Sequence, residues 1–459
     1  MERHPPARIR LRDNPAWLLS LFVLGFDFAD QGLIGPLLNP LLRDFFGGTG
    51  NVVPLGWVTF LVTVLSAAAM ILSGWLAGRK PRVRMAAAGA FIYSAASLLT
   101  ALTPHGPAGY PVFLAARAAN GVGIGLVIPA VFSLAGDVVR PARRASAFGI
   151  MSMAMIVGRL AGFAIGGALQ DTWRTAYLLS GAVNAAFALA LFFVREPVRG
   201  GGEEELGEAL AAGAEYSFRL KKGDLKLIWR SRSNLWLIIN FIDVLPGSIV
   251  LFLIFKYMEE RHNVGAAAVN VALVAVAAAG ALGAIVFGRI GDRGFRRDKR
   301  ARVWTALACN AVPIFFMLIF LGSRLRVPAG AGLAATLSSP GMAGLILTVA
   351  AAMFINQGVN PNWYASLTDV NLPEHRAAMI STASVVDLAG NALGPLIASY
   401  LATIRDVRTA MASVVVFWAL NVVFWFPVLV HIRADLGRVH DILGERAGDM
   451  KRSLGADGR

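Results

Sequence analysis

Charge is what this chain has least of. Asp, Glu, Lys and Arg make up 15 % of its 459 residues, against 56 % hydrophobic residues. A soluble globular chain carries roughly a quarter charged residues to cover its surface. The composition therefore argues against a soluble enzyme, a nucleic-acid-binding domain and a disordered protein. Cysteine is nearly absent too: Cys309 stands alone in an apolar segment, which excludes internal disulfides and cysteine-based metal centres. The six histidines (His4, His105, His262, His375, His431 and His440) include no pair at ligand spacing, so no metal is expected. No Gly-x4-Gly-Lys-Ser/Thr loop occurs, which argues against direct ATP drive, and no cofactor is expected. The segment Met1 to Asn14 is too charged and Pro-rich for a signal peptide, so the apolar run after it is read as a retained first span.

What the chain does have is long apolar runs, many about 20 residues or more, the length a helix needs to cross ~30 Å of hydrocarbon. They lie at about Ala16 to Leu42, Val52 to Gly78, Met85 to Thr103, Pro111 to Val139, Ala145 to Leu169 and Ala176 to Val194. A second set runs Asn234 to Phe255, Ala266 to Ile290, Val303 to Leu321, Met342 to Leu367, Ala377 to Leu401 and Ala410 to Val430. The runs are continuously apolar, not alternating, so helices are expected and a barrel is not. The fold class is thus an all-α membrane protein with twelve transmembrane helices in two six-helix pseudo-repeats. The expected division is 1–194 for the first half, 195–233 for a linker, 234–431 for the second half and 432–459 for a tail. The linker reads either as a solvated connection with a surface helix or as a regulatory or partner-binding segment.

The net charge of +15 lies in the short connections and is no nucleic-acid footprint. With the N-terminus inside, 33 of the 43 lysines and arginines fall on the inner side and 8 on the outer. That bias predicts that both termini are cytoplasmic.

The halves repeat. Asp137, Pro141, Arg144 and Ala145 recur as Asp369, Pro373, Arg376 and Ala377 at a constant offset of 232, and Gly158 and Gly162 recur as Gly390 and Gly394 at the same offset. Parallel six-helix repeats are the architecture of alternating access around a central site.

Short motifs then give the chain a likeness. Gly74-Trp75-Leu76-Ala77-Gly78-Arg79-Lys80 and Gly288-Arg289-Ile290-Gly291-Asp292-Arg293-Gly294 follow the second and eighth spans. Arg117-Ala118-Ala119-Asn120-Gly121-Val122-Gly123 lies in the fourth span, and Gly158-Arg159-Leu160-Ala161-Gly162 in the fifth. Over essentially its whole length the chain resembles the major facilitator superfamily. In that family an acid follows the second span; here Gly78 takes its place, while the second copy keeps Asp292. The resemblance implies that Asp292 looks across the seam at a helix start in the other half, where unpaired N–H groups favour a carboxylate. The glycines at four-residue spacing suit close helix packing, a sliding seam, or both. Val194-Arg195-Glu196-Pro197 is similar to the spinster-type lipid transporters. However, Asp30-Gln31 stands where that group has an Asp-Arg pair, and Ile124 where it has an acid.

Polar groups inside spans are costly and are functional candidates. Asp27, Asp30 and Gln31 share one face of the first span. Arg117 lies in the fourth span, shallow enough to reach outward, and Arg159 in the fifth. Asn240 and Asp243 lie in the seventh, and Asp387 and Asn391 in the eleventh. Asn356, Gln357 and Asn360 precede Pro361, which cannot donate to the Gln357 carbonyl. The resemblance implies that the first, fourth, seventh and tenth spans line the central cavity. Counting residues from the span starts puts Arg159 level with Asp30, so Arg159 is expected to pair with Asp30, or with Asp27 as second choice. Asp137, Arg144, Asp292, Arg293, Asp369 and Arg376 are expected to form a gate closing the cytoplasmic side.

The expected function is secondary active transport of a small organic solute by alternating access, coupled to protons. The alternatives are drug or lysolipid efflux by the same fold, or a non-transporting membrane sensor. An enzyme is not expected, because no His/Asp or metal cluster occurs. The partners expected are the solute, protons and membrane lipids, with no nucleic acid. The protein is expected to act as a monomer, multi-pass in the plasma or inner membrane.

Overall fold

A computed structural model describes residues 14–48, 53–221, 223–328 and 331–457. The basic segment 1–13, Val52 and Lys222 lie outside the described residues. Among the described residues, twelve helices are long and apolar enough to span a membrane. They are α1 (Pro15–Leu33), α2 (Pro54–Ala77), α3 (Arg82–Ala101), α4 (Pro107–Val138), α5 (Pro141–Ala168), α6 (Gln170–Phe192), α7 (Arg232–His262), α8 (Ala267–Phe295), α9 (Ala301–Gly322), α10 (Pro340–Asp369), α11 (Arg376–Ile404) and α12 (Val407–Leu454). All twelve expected spans are present.

The differences have local causes. The first apolar run does not continue to Leu42. Its helix ends at Leu33, and a separate short helix, Leu38–Phe46, follows. Gly32 and Gly35 lower helix propensity there, and Pro36 lacks an N–H for the helical ladder. In α10 the ladder breaks between Asn356 and Val359, as expected from Pro361. A 3₁₀ turn over Asn240–Asp243 interrupts α7. The residues expected as a tail instead continue α12, helical to Asp457. At 1.5 Å per residue its 48 residues reach ~70 Å, twice the thickness of the hydrocarbon core, so the last turns stand clear of it.

Inside the first half the glycines decide how closely helices approach. A Cβ on Gly158 would strike the Gly25 carbonyl, and one on Gly162 the Ala29 carbonyl. Helices α1 and α5 are therefore in backbone contact, the close-packing role expected of those glycines. Gly394 of α11 is equivalent: its Cβ would lie 3.2 Å from the Leu245 carbonyl of α7.

The connection between the halves is not a solvated linker. Leu206, Ala209 and Tyr216 bury themselves against Val439, Leu443, Ala447 and Met450 of the extended α12. We call the end of the bundle that carries this connection the linker face.

Candidate functional site

Two groups of intramembrane polar residues lie between the α-helical walls, one in each half. In the first half Asp30 is fully buried. Its Oδ2 accepts from Arg117 Nη2 at 2.6 Å and its Oδ1 from Ser97 Oγ at 2.5 Å. Asn120 donates to Ser97 Oγ at 3.5 Å, and the Arg117 guanidinium lies 5.0 Å from the centre of the Tyr177 ring. Arg117 thus does not reach outward; it pairs with an acid. One turn earlier in α1, Asp27 is also buried. Asn184 donates to its Oδ1 at 3.0 Å, while its Oδ2 has no hydrogen-bond partner among the described residues.

The expected Arg159–Asp30 pair is not formed. Arg159 instead places its guanidinium over Phe28, 5.2 Å from the ring centre, and stays exposed. Depth is not what separates them: a Cβ on Gly32, two residues after Asp30, would lie 2.5 Å from the Arg159 carbonyl, so the difference is one of side-chain direction. Helix α1 ends at Leu33, only three residues after Asp30, so Asp30 sits near the end opposite the linker face, where α4 enters and delivers Arg117. The α1–α5 seam is made by Gly158 and Gly162, and Arg159 is turned away from it. Arg159 stands eleven residues after Phe148, about three full turns, and so shares the face of α5 that Phe148 presents to the seam between halves.

In the second half Asp243 lies beside Asn356 and Asn421, and Asp387 lies near Asp243. Asn421 donates to Asn310 at 3.0 Å. Asn240 is buried with neither amide atom bonded among the described residues. Gln357 and Asn360 lie at the α10 break, 3.5 Å apart, and Asn391 donates to the Asp387 carbonyl at 3.1 Å. Asn360 and Asn391 are exposed, and Gln31 is half-buried. The structure therefore brings together Asp27, Asp30 and Arg117 in one group and Asp243, Asn356 and Asp387 in another. Arg159 joins neither.

The linker face is closed by a clamp with two-fold pseudo-symmetry. Asp137 is gripped by Arg82 of its own half and, at 3.0 Å, by Arg376 of the other. Asp369 is gripped by Arg302 of its own half and, at 2.6 Å, by Arg144 of the other. Glu203 of the linker accepts from both Arg144 and Arg376. Burial pushes the Glu203 carboxyl up, but the two guanidinium groups outweigh it and hold it at about 2. Asp292 accepts from the N–H groups of Ala145 and Ser146 at 3.1 and 2.7 Å, the helix-start contact that the resemblance implied. Where Gly78 replaces the other acid, the linker fills in: Arg79 Nε donates to the Leu220 carbonyl at 2.9 Å.

Of the six expected gate residues, Arg293 is exposed and outside the clamp; Arg302 holds Asp292 at 2.5 Å instead. Behind the clamp, Phe132, Phe148 and Tyr364 stack with ring centres 4.4–5.7 Å apart. Every hydrogen bond or ion pair between the halves among the described residues lies on this side, the deepest being Ser381 Oγ to the Met70 carbonyl. Arg82, Arg302 and Glu203 were missed from sequence. The repeat held the signal for two of them, since Arg82 and Arg302 open the third and ninth spans.

Comparison with known proteins decides the family. The profile of the Major Facilitator Superfamily matches residues 20–354. The chain belongs to that superfamily. Its members are transporters, not enzymes, and the multi-pass membrane architecture follows. A probable actinorhodin transporter of Streptomyces coelicolor is 28 % identical over 290 residues, 59 % of this chain and 47 % of that protein. The quinolone resistance protein NorA of Staphylococcus aureus is 27 % identical over 187 residues, 39 % of this chain and 46 % of that protein. The chain thus spans about half the length of the curated relatives it matches. Among solved structures, the human organic anion transporter MFSD10 aligns with a TM-score of 0.65 at 15 % identity, covering 92 % of this chain and 100 % of the other. A bacterial homologue of ferroportin in an outward-facing state aligns at 0.67 and 13 % identity, covering 90 % and 99 %. A bacterial Spinster homologue aligns at 0.58 and 18 % identity, covering 92 % and 97 %. At such identities the superfamily likeness is one of fold alone.

Proposed function

We propose that this superfamily member couples the movement of a small organic solute to protons, and that its linker face is cytoplasmic. On that orientation the closed clamp and the exposed Arg159, Asn360 and Asn391 describe an outward-open state. The observation that carries the coupling is Asp27. It is 1 % exposed, has one carboxylate oxygen without a partner among the described residues, and lies one turn from an acid already locked to Arg117. Asp27 can take up a proton without breaking an existing bond, whereas protonating Asp30 costs the Arg117 pair. Proton uptake at Asp27 removes a buried charge and favours the transition out of the outward-open state. Arg159 and the amides of α10 are the solute contacts: a cation, donors and acceptors on facing walls.

The relatives named for actinorhodin transport and quinolone resistance support an organic compound over an inorganic ion, and efflux as the direction. The test is flux in proteoliposomes under an imposed pH gradient, across a panel of organic solutes that includes a quinolone and a lysolipid. Gradient-driven movement of one panel member that stops with a protonophore is expected. Movement indifferent to the gradient contradicts proton coupling, and a protein that binds solutes without moving any is a sensor.

A further inference from the structure

A cavity of about 850 Å³ lies on the linker face between the α2–α3 turn, the end of α4 and the connection that follows α6. Ligand sites commonly measure roughly 300–1,000 Å³. Its walls are basic. Arg79, Lys80, Arg140, Arg199 and Arg219 line it, with the buried Arg82 beneath.

Two carboxylates also line the cavity, and they do not balance that charge. Glu196 is fully engaged, accepting from Arg82 N and Nε at 3.0 Å and from Val83 N at 2.7 Å. Arg82 is further neutralised by Asp137 and still leaves Nη2 without a partner among the described residues. Glu215 is exposed at the rim. Against it stand five basic side chains that form no ion pair among the described residues. Arg79 and Arg199 direct donors at the carbonyls of Leu220, Ala77 and Gly78, and Arg219 at that of Tyr216. Burial, with Arg82 and Arg219 nearby, pulls the Arg199 guanidinium down to about 10, as expected where cations outnumber anions.

The surroundings of the cavity are apolar and face outward. Arg79 lies over the Trp75 ring at 3.9 Å, and Trp75, Phe193 and Val198 are 43 %, 76 % and 58 % exposed. Tryptophan beside arginine at a helix end is the pattern of the membrane interface.

We propose that this cavity binds a phosphate-bearing anion, the headgroup of an anionic phospholipid whose chains lie against Trp75 and Phe193. Basic pockets at this level attract anionic headgroups. A free phosphate shares the charge chemistry but gains nothing from the apolar flank. One wall is the linker from Gly201 to Arg219 and the opposite wall is the α2–α3 turn. A bound headgroup ties the two together and keeps Glu203, on the same linker, between Arg144 and Arg376. The lipid thereby favours the closed clamp.

The test compares thermal unfolding of the purified full chain with added phosphatidylglycerol, phosphatidylcholine or inorganic phosphate, and lipid retention by native mass spectrometry. Wild-type protein should show a saturable rise in Tm with phosphatidylglycerol beyond that with phosphatidylcholine. A Lys80→Gln, Arg140→Gln, Arg219→Gln variant should bind phosphatidylglycerol on the order of a hundredfold more weakly, since each basic group near a membrane surface contributes about a factor of five. Should the triple variant unfold early in phosphatidylcholine, Arg140→Gln alone is used, because its exposed side chain makes no hydrogen bond among the described residues, and should weaken binding about fivefold. Wild-type phosphatidylglycerol binding in these variants overturns the site. A rise with inorganic phosphate equal to that with the lipid overturns the lipid assignment in favour of a soluble anion.

Discussion

Arg376→Ala tests the clamp as a conformational device. Arg376 is 1 % exposed and bridges the halves through Asp137 at 3.0 Å and the Gly136 carbonyl at 3.2 Å, with Glu203 as a third acceptor. Breaking a buried pair typically costs about 3–5 kcal/mol, largely because the abandoned partner stays charged. Here neither acid is abandoned, since Asp137 keeps Arg82 and Glu203 keeps Arg144. The loss therefore falls on the closed state, in which the halves touch, and not on the fold of either half. A shift well below that range is sufficient, since about 1.4 kcal/mol already changes the closed-to-open ratio tenfold and can reverse a modest preference. The assay is a distance distribution between spin labels on exposed Arg143 and Arg297, one in each half on the linker face. The native thiol, Cys309, is buried and does not compete for label. The long-distance population should rise sharply in Arg376→Ala with Tm little changed. An unchanged distribution in a folded variant refutes the clamp.

Three further outcomes follow from the same geometry. Asp30→Asn or Arg117→Gln alone should lower stability by about 3–5 kcal/mol and the double variant by less, because each single change strands a buried partner; additive losses in a denaturation cycle would deny the pair. The folded-state value of Glu203 lies near 2, below its ordinary 4.5, so its stabilisation is complete above pH ~4.5 and is lost as pH falls toward ~2. Part of the acid sensitivity of Tm should therefore disappear in Glu203→Gln, and equal acid sensitivity in both proteins would count against this. Gly162→Val drives a side chain into the Ala29 carbonyl and should cost about 1–3 kcal/mol or more, read as a lower Tm; an unchanged Tm would mean that α1 and α5 do not meet there.

The spans were legible because a continuously apolar run of this length can satisfy its backbone in lipid only as a helix, a barrel strand being short and alternating. The repeat was legible because Asp137, Arg144, Asp369 and Arg376 recur at one offset, and the structure joins these four across the seam. The repeat did not show that each arginine reaches the acid of the other half, since a one-dimensional offset carries no pairing rule. Glu203 was not legible as part of the clamp because its partners lie 59 and 173 residues away in sequence. Arg159 was misassigned because residue counting gives depth along a helix but not the direction a side chain takes. That direction depends on Gly158 and Gly162 occupying the α1 contact, a fact of packing. The end of α1 was legible in principle from Pro36 and Pro40, but the apolar run continues past both and hides it.

The most direct test of proton coupling uses a solute returned by the flux panel, with wild-type and Asp27→Asn protein in proteoliposomes. Two quantities are measured for each: accumulation driven by a pH gradient, and solute exchange with no gradient. Asp27→Asn should lose gradient-driven accumulation while retaining exchange, because the proposed solute contacts, Arg117–Asp30 and the clamp remain intact and only the proton site is gone. Gradient-driven accumulation in Asp27→Asn equal to that of the wild type would contradict the assignment of the proton to Asp27.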